Sequence, residues 1–441
     1  MPHSNYIRIK IKSMNSFVEE LRWRGMIHNI MPGTEELLQK EKTVGYIGFD
    51  PTADSLHVGS LVQIMLLTHF QLAGHTPLAL VGGATGMIGD PSGKKEERKL
   101  LTTEEIEHNV QGIKKQLERF LDFDKPGNPA YIVNNNEWFK NVLTIDFLRD
   151  VGKFLTINYL LSKGFVKDRL AQEQELSFTE FNYILMQAYD YLWLYQNKNC
   201  KLQLGGSDQW GNITAGTELI RKKIRGDAFG LTCPLITKAD GSKFGKTETG
   251  NVWLDAKRTS PYRFYQFWMN ASDEDSKNYI RIFTLLGKEA VESLEKQHAE
   301  TPHLRILQKE LAKEVTVRVH SENEYHAAEE ASEILFGKGT ADSLSKLSED
   351  DLLSILEGVP QVVIGKSEVE QGVNVVEFFS DKTQIFSSRG EAKKMIQGGG
   401  VFINKTKVED TNLSVSSQHI LNGKYILAQK GKKNYFLIKI L

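Results

Sequence analysis

The sequence predicts an α/β protein: a doubly wound parallel-sheet domain of Rossmann-like type, then an all-helical domain and a small α+β domain. Three observations carry that expectation. Between residues 44 and 81 a strand, a helix and a second strand follow one another. Glycine-rich loops leave the ends of those strands, and a right-handed crossover of this kind makes neighbouring strands parallel. From Pro261 to Phe336 the apolar spacing is helical throughout, and after residue 382 the charge becomes strongly basic.

The first thirteen residues, M-P-H-S-N-Y-I-R-I-K-I-K-S, are basic and free of acids, the composition of an organelle-targeting peptide. Tyr6 to Lys12 nevertheless alternates with period two, whereas such peptides are helical with a period near 3.6. Met14 opens a better helical segment through Phe17, Val18 and Leu21, so the extension is expected to precede the folded start. Val44-Gly-Tyr-Ile-Gly-Phe49 is β-prone and bounded by Asp50-Pro51, the mark of a buried strand ending in a loop. Val58 to Leu72 repeats apolar residues at helical spacing, and Gly74 stands where a left-handed cap is needed. Leu78 to Val81 is the next strand, running into the loop Gly82 to Gly93.

From about residue 104 to 201 helices are expected to dominate, with an aromatic-rich segment from Phe178 to Tyr195. A strand near Lys201 to Leu204 leads into Gly205-Gly-Ser-Asp-Gln-Trp-Gly211, and another, Leu231 to Thr237, leads into Lys238-Ala-Asp-Gly-Ser-Lys-Phe-Gly-Lys-Thr247. The expected domains are 1–260 (with the extension 1–13 and a helical insert at about 125–200), a helical domain 261–336, a linker region 337–370 and a basic domain 371–441. In open parallel sheets ligands bind beyond the carboxyl ends of the strands, so the loops there are where chemistry is expected.

At 441 residues the chain exceeds what one core organises, and 40% hydrophobic with 25% charged residues is ordinary globular composition. No apolar run approaches the roughly 20 residues of a membrane-crossing helix. Two cysteines, Cys200 and Cys233, exclude a disulfide framework and a four-thiolate zinc site, and suit buried thiols in a reducing compartment. The net charge of -1 hides a basic tail. From Lys382 onward eleven lysines and arginines, among them Lys432 and Lys433, face only Glu391, Glu409 and Asp410. One-signed charge of that kind favours a polyanion such as nucleic acid.

Pro51-Thr-Ala-Asp-Ser-Leu-His57-Val58-Gly59-Ser60 sets a histidine at the start of a helix. Unpaired N–H groups and the helix dipole attract phosphate there, and the glycine lets a flat base approach the backbone. A histidine that merely caps its helix is the plainer alternative. Asp240-Gly-Ser-Lys243-Phe-Gly-Lys246-Thr247 offers two lysines beside glycines, a possible phosphate clamp. It is not a nucleotide-binding P-loop, because Gly241 is one residue too near and Glu248-Thr-Gly-Asn does not open a helix. The glycines at 82, 83, 86 and 89 likewise miss the G-x-G-x-x-G dinucleotide pattern.

Together these segments resemble the tyrosyl-tRNA synthetases of bacterial type, members of the class I synthetases. His57-Val-Gly-Ser60 is similar to the family's H-I-G-H element, and Lys243-Phe-Gly-Lys-Thr247 to its K-M-S-K-S loop. Gly45 to His57, Ala79 to Gly93, Gln187-Ala-Tyr-Asp190 and Gly205 to Thr214 also follow the family pattern, and the resemblance runs from about Met14 to the C-terminus. It implies a ligase that activates L-tyrosine with ATP and Mg2+, without a tightly bound protein metal, and transfers the tyrosyl group to tRNA(Tyr). It further implies a cytoplasmic homodimer. Tyr46 and Asp190 would meet the substrate phenol, and Asp90, Tyr183 and Gln187 its ammonium. Gln209 would also touch tyrosine. Gly48, Asp50, His57, Gly59, Asp208 and Lys246 would bind ATP. His57, Ser60, Lys243, Lys246 and Thr247 would serve the chemical step.

Ile385 to Asn404 resembles a small RNA-binding module shared with a ribosomal protein, in which Arg389, Lys393 and Lys394 would meet an RNA backbone. The sequence departs from the family at Ser60, where a second histidine is usual. A tryptophan-specific relative is disfavoured by Tyr46 and Asp190, which suit a phenol better than an indole. A synthetase-derived RNA-binding protein without catalysis has Ser60 as its sole sequence support.

Overall fold

The computed structural model of the chain describes residues 16–92, 101–336 (248 and 249 excepted), 359–431 and 434–441, with scattered positions between 344 and 356. The extension 1–13, Gly93, most of the stretch 337–358, Lys432 and Lys433 lie outside the described residues. Two compact units form: the described residues of Met1–Thr259 with Phe267–His320, and Ser260–Gln266 with Ser321–Leu441.

The first unit runs through α1 (Phe17–Trp23), β1 (Asn29–Ile30), α2 (Thr34–Lys40), β2 (Val44–Phe49), α3 (Leu61–Leu72), β3 (Thr76–Val81), α4 (Thr103–Leu117) and β4 (Tyr131–Asn134). Then come the insert helices α5 (Asn136–Phe139), α6 (Thr144–Asp150), α7 (Ile157–Leu161), α8 (Gly164–Ala171) and α9 (Phe178–Lys198). The chain returns through β5 (Cys200–Gly206), α10 (Trp210–Ile224), β6 (Phe229–Cys233) and the small hairpin β7 (Lys246–Thr247) and β8 (Gly250–Asn251). Helix α11 (Pro261–Met269) is divided between the units at Gln266, α12 (Asp273–Phe283), α13 (Lys288–Glu300) and α14 (Ile306–Val319) belong to the first, and α15 (Glu322–Phe336) opens the second unit's longer segment.

The six strands lie in the order β1-β6-β5-β2-β3-β4. All pairs from β6 to β4 are parallel, and only the edge strand β1 is antiparallel. Successive strands β2, β3 and β4 step to one side while β5 and β6 step to the other. The order therefore reverses between β2 and β5, the switch point at which doubly wound sheets bind ligands. All six residues of β3 are buried, as a strand covered on both faces requires.

Local chemistry fixes the ends. His57 has extended backbone and caps a single 3-10 turn, Val58–Ser60, from which α3 continues. Gly74 ends that segment at φ +92. Helix α9, which carries half the predicted tyrosine site, starts in a capping box between Ser177 and Glu180 and stops at Asn199, φ +50. Strand β6 starts two residues earlier than the apolar run suggested and stops at Cys233, because Pro234 has no N–H to give the sheet. Strand β4 interrupts the middle region, whose charged and apolar alternation otherwise does produce helices.

In the second unit β9 (Gln361–Ile364), α16 (Lys366–Gln371), β10 (Val373–Asn374) and α17 (Val375–Glu377) precede α18 (Arg389–Gln397). After α18 come β11 (Val401–Ile403), β12 (Thr406–Lys407), β13 (Ser414–Val415), β14 (Tyr425–Lys430) and β15 (Asn434–Ile440). One sheet has the order β12-β11-β14-β15-β9, and β10 pairs with β13 apart from it. Strand β9 runs parallel to β15, so this sheet begins ahead of residue 371. Phe378, Phe379, Phe386, Ile396 and Ile426 form its core.

Candidate active site

Strand β2 presents Tyr46 inward at 1% exposure, and its hydroxyl has no hydrogen-bond partner among the described residues. A buried, unpartnered phenol is costly, and groups of that kind mark places built for something else. Burial, and then the neighbouring Asp190, raise its pKa well above the usual phenol value. Asp190 projects from α9 at 2% exposure. Trp138 Nε1 donates to its Oδ1 at 2.8 Å and Asn135 Nδ2 to its Oδ2 at 3.1 Å. Burial pushes the carboxyl up to about 8, against the pull of those two bonds, with Asp50 adding to the rise.

Asp50 follows β2 and gathers the glycine loop. It accepts from Thr85 Oγ1 at 3.1 Å, from the Asp90 backbone N–H at 3.3 Å and from the Tyr183 hydroxyl at 3.0 Å. Gly82 is glycine for contact reasons, since a Cβ there would stand 2.5 Å from Asp50 Oδ1. Asp90 accepts from Gln209 Nε2 at 2.6 Å and from the Ser92 N–H at 2.9 Å. Gln187 Nε2 donates to Gln209 Oε1 at 3.2 Å. Six predicted residues, Asp50, Asp90, Tyr183, Gln187, Gln209 and Asp208, thus share one hydrogen-bonded network, the last through Gln209 at 3.4 Å. Gly48 is the one exposed position of β2, and a Cβ there would meet only Leu80 Cδ2 at 3.9 Å, leaving open space above the strand.

The His57 side chain does cap its turn: Nδ1 accepts from the Gly59 N–H at 3.0 Å. Capping and phosphate binding are compatible here. With Nδ1 accepting, the neutral ring carries its proton on Nε2, where it can be donated to an oxyanion. A Cβ on Gly59 would come within 2.8 Å of that ring, so a larger residue there would push the imidazole from its place. Ser60 ends this turn, partly exposed, and makes no capping bond to α3.

The lysine loop runs beside the same turn. Gly245 takes φ +78, with a Cβ position 2.8 Å from Val58 Cγ2. Phe244 anchors the loop, stacking on Phe283 at 5.3 Å and meeting Trp268 and Tyr279. Lys243 and Lys246 are left exposed on either side. Lys246-Thr247 forms β7 and pairs with β8. Among the described residues that directly follow Lys246 there is a strand pair and not a helix, which agrees with rejection of the P-loop. The Thr247 side chain lies outside what the structure describes.

In the second unit Lys393 and Lys394 are exposed on α18, and Arg389 Nε donates to Asp381 at 2.7 Å. Among the described residues no helix is long and apolar enough to cross a membrane.

The site also contains residues that sequence reasoning missed. Asn135 donates to Thr85 Oγ1 and accepts from the Ala84 N–H, so it ties the glycine loop to Asp190. Trp138 is held by stacking on Trp193 at 4.2 Å. Asn212, fully buried, donates to Gln187 Oε1 at 2.9 Å and to Gln209 Oε1 at 3.2 Å, setting which way both amides face. A signal for the first two existed: Asn134-Asn-Asn-Glu-Trp138 follows a strand's carboxyl end.

This sheet, with its switch-point loops, is that of a class I aminoacyl-tRNA synthetase. Residues 38–337 match the family model for tRNA synthetases class I (W and Y), and residues 351–438 the model for the tyrosine–tRNA ligase SYY-like C-terminal domain. The chain is 58% identical over 426 residues to a tyrosine–tRNA ligase of Bacteroides fragilis, covering 96% of this chain and 99% of that one. It is also 58% identical to that of Cytophaga hutchinsonii, over 97% and 100%. A C-terminally truncated mitochondrial tyrosyl-tRNA synthetase of Aspergillus nidulans superposes with TM-score 0.64 at 29% identity, over 71% of this chain and 92% of that chain. The chain belongs to the tyrosine–tRNA ligases.

Proposed function

We propose that the residues gathered at the switch point carry the ligase reaction as follows. The substrate phenol lies between Tyr46 and Asp190, and the ammonium binds among Asp90, Tyr183 and Gln187, with Gln209 beside it. ATP, entering as its magnesium complex with the ion held by the nucleotide's own phosphates, lies over Gly48 and Gly59 and reaches Asp50 and Asp208. A tyrosine carboxylate oxygen attacks the α-phosphorus, and the bond to the β-phosphate oxygen breaks, giving tyrosyl-adenylate and pyrophosphate. The carboxylate is already ionised at neutral pH, so no general base is needed. Positioning and charge stabilisation do the work. His57, Ser60, Lys243, Lys246 and Thr247 receive the charge that builds on the leaving pyrophosphate. A ribose hydroxyl at the 3′ end of tRNA(Tyr) then attacks the adenylate carbonyl and releases AMP.

The observation that best supports this reading is the unpartnered Tyr46 hydroxyl in the same buried site as Asp190. A pocket that leaves such a group unpaired rejects a side chain lacking its own hydroxyl; tyrosyl synthetase discrimination against phenylalanine is itself the standard illustration of that principle. The exposed lysines of α18 support a second RNA contact through Lys393 and Lys394, with Arg389 held by Asp381. Helix α6 buries none of its residues, and Leu143 at 69% and Ile145 at 73% exposure favour a second copy of the chain covering that surface. Tyrosine-dependent exchange of pyrophosphate into ATP, followed by charging of tRNA and a solution mass, tests the reading. Exchange without tyrosine, or none with it, overturns the mechanism, and a monomer overturns the dimer.

A further inference from the structure

Four chain segments meet just ahead of His57. From one side α4 holds the loop: Asn109 Nδ2 donates to the Pro51 carbonyl at 2.9 Å. A Cβ on Gly112 would stand 2.0 Å from the Asp54 carbonyl oxygen, so the helix lies directly on the loop backbone. Gln116 Oε1 accepts from the Leu56 N–H at 2.8 Å, and its Nε2 donates to Ser55 Oγ at 2.9 Å. Positions 109, 112 and 116 share one helix face.

From the other side comes the segment returning from the lysine loop. The Leu254 N–H donates to the Leu56 carbonyl and the Val58 N–H to the Val252 carbonyl, both at 2.9 Å. The Asp255 N–H donates to Ser55 Oγ at 3.2 Å, and Ser55 Oγ donates to the Leu56 carbonyl at 2.8 Å. The Val252 N–H donates to the Gly245 carbonyl at 3.0 Å, which joins this segment to the lysine loop itself. A hydroxyl has one proton and two lone pairs. All three are used at Ser55, which is only 4% exposed.

We propose that Ser55 and Gln116 are positioning residues for adenylate formation, fastening the turn at His57 and the lysine loop to each other and to α4. The inference rests on the reading above, in which those two loops hold the phosphates. Neither side chain touches a reacting atom. Each acts by keeping Gly245, between the two lysines, in register with the turn that carries His57. Ser55→Ala leaves the Gln116 amide and the Asp255 N–H without their acceptor, and Gln116→Met leaves the Leu56 N–H unpaired while nearly keeping the volume.

The test measures single-turnover tyrosyl-adenylate formation and equilibrium tyrosine binding for Ser55→Ala, Gln116→Met and Ser55→Thr, and repeats Ser55→Ala in a Lys246→Ala background. Misplacement of a loop by an ångström can cost on the order of a hundredfold, so a loss of about ten- to a hundredfold in the adenylation rate is expected for Ser55→Ala and Gln116→Met. Tyrosine affinity is expected to hold, Ser55→Thr to restore much of the rate, and the two losses to combine to less than their product. Unchanged rates in both Ser55→Ala and Gln116→Met overturn the proposal, as do a matching loss of tyrosine affinity or losses that multiply in full. If Lys246→Ala alone leaves the rate intact, the phosphate reading falls and takes this proposal with it; if Lys246→Ala is slow but the Ser55 and Gln116 variants are not, only the proposal falls.

Discussion

Replacing Asp190 by asparagine should change the stability of the ligand-free protein by an amount that depends on pH. Burial raises this carboxyl from 3.8 to about 8, so folding favours its protonated form. For a raised pKa the stabilising contribution is complete below the unfolded value and is lost as pH climbs through the folded one. Against a side chain that does not titrate, wild type therefore loses about 2 kcal/mol between about pH 6 and about pH 8. A second effect does not vary with pH. Asp190 accepts from both Trp138 and Asn135, whereas an asparagine offers one oxygen and turns its NH2 toward the other donor. Leaving that buried donor unpaired costs roughly 1–3 kcal/mol. By pH 6 wild type has already lost about 3 kcal/mol, because the unfolded carboxyl ionises from 3.8 upward, and this offsets the penalty; Asp190→Asn should thus match or exceed wild type near pH 6 and be clearly the more stable protein near pH 8. Urea midpoints and slopes for both proteins at the two pH values measure it. A gap that is the same at both would refute the reasoning, because it would mean that Asp190 titrates as an ordinary carboxylate.

Lys243→Ala and Lys246→Ala should lower kcat for adenylate formation with tyrosine KM nearly unchanged, since contacts made mainly in the transition state appear in the rate; a raised tyrosine KM alone would contradict the clamp. Ser60→Ala should slow adenylation by up to roughly tenfold, the worth of one neutral hydrogen bond, and an unchanged rate would mean that the hydroxyl contributes nothing. Ending the chain at Asp350, ahead of the C-terminal family match and of β9, should spare tyrosine-dependent exchange and impair tRNA charging. Charging by the full chain should be the more salt-sensitive of the two, and normal charging by the shortened protein would count against RNA binding by the basic unit.

Where local pattern and tertiary environment ask for the same thing, the sequence was legible. Val44–Phe49 is a strand in both because a buried parallel strand reads as an unbroken β-prone run, and the Gly74 cap follows from backbone geometry alone. The tyrosine-site residues came from motif resemblance, and the structure adds why they sit as they do. Strand β4 was not anticipated: Tyr131-Ile-Val-Asn134 is short, opens on an exposed Tyr131 and has no glycine at its carboxyl end. Asn135 and Trp138 were missed with it, since their value depends on standing at that strand's end. Asn212 was missed for another reason. On α10 it looks like an ordinary first-turn polar residue, and only the fold reveals that it faces two glutamines from other positions. Ser55 and Gln116 are 61 residues apart, and no local pattern links them.

In the mechanism proposed above, Tyr46 and Asp190 read the phenolic hydroxyl of the substrate. The most direct test of that reading is pyrophosphate exchange driven by tyrosine and by phenylalanine, in wild type and in Tyr46→Phe. The substitution should lower kcat/KM for tyrosine by up to roughly tenfold, about 0.5–1.5 kcal/mol in transition-state free energy, while phenylalanine, which has no hydroxyl to lose, is activated as well as before or better. An equal loss for both amino acids would contradict it.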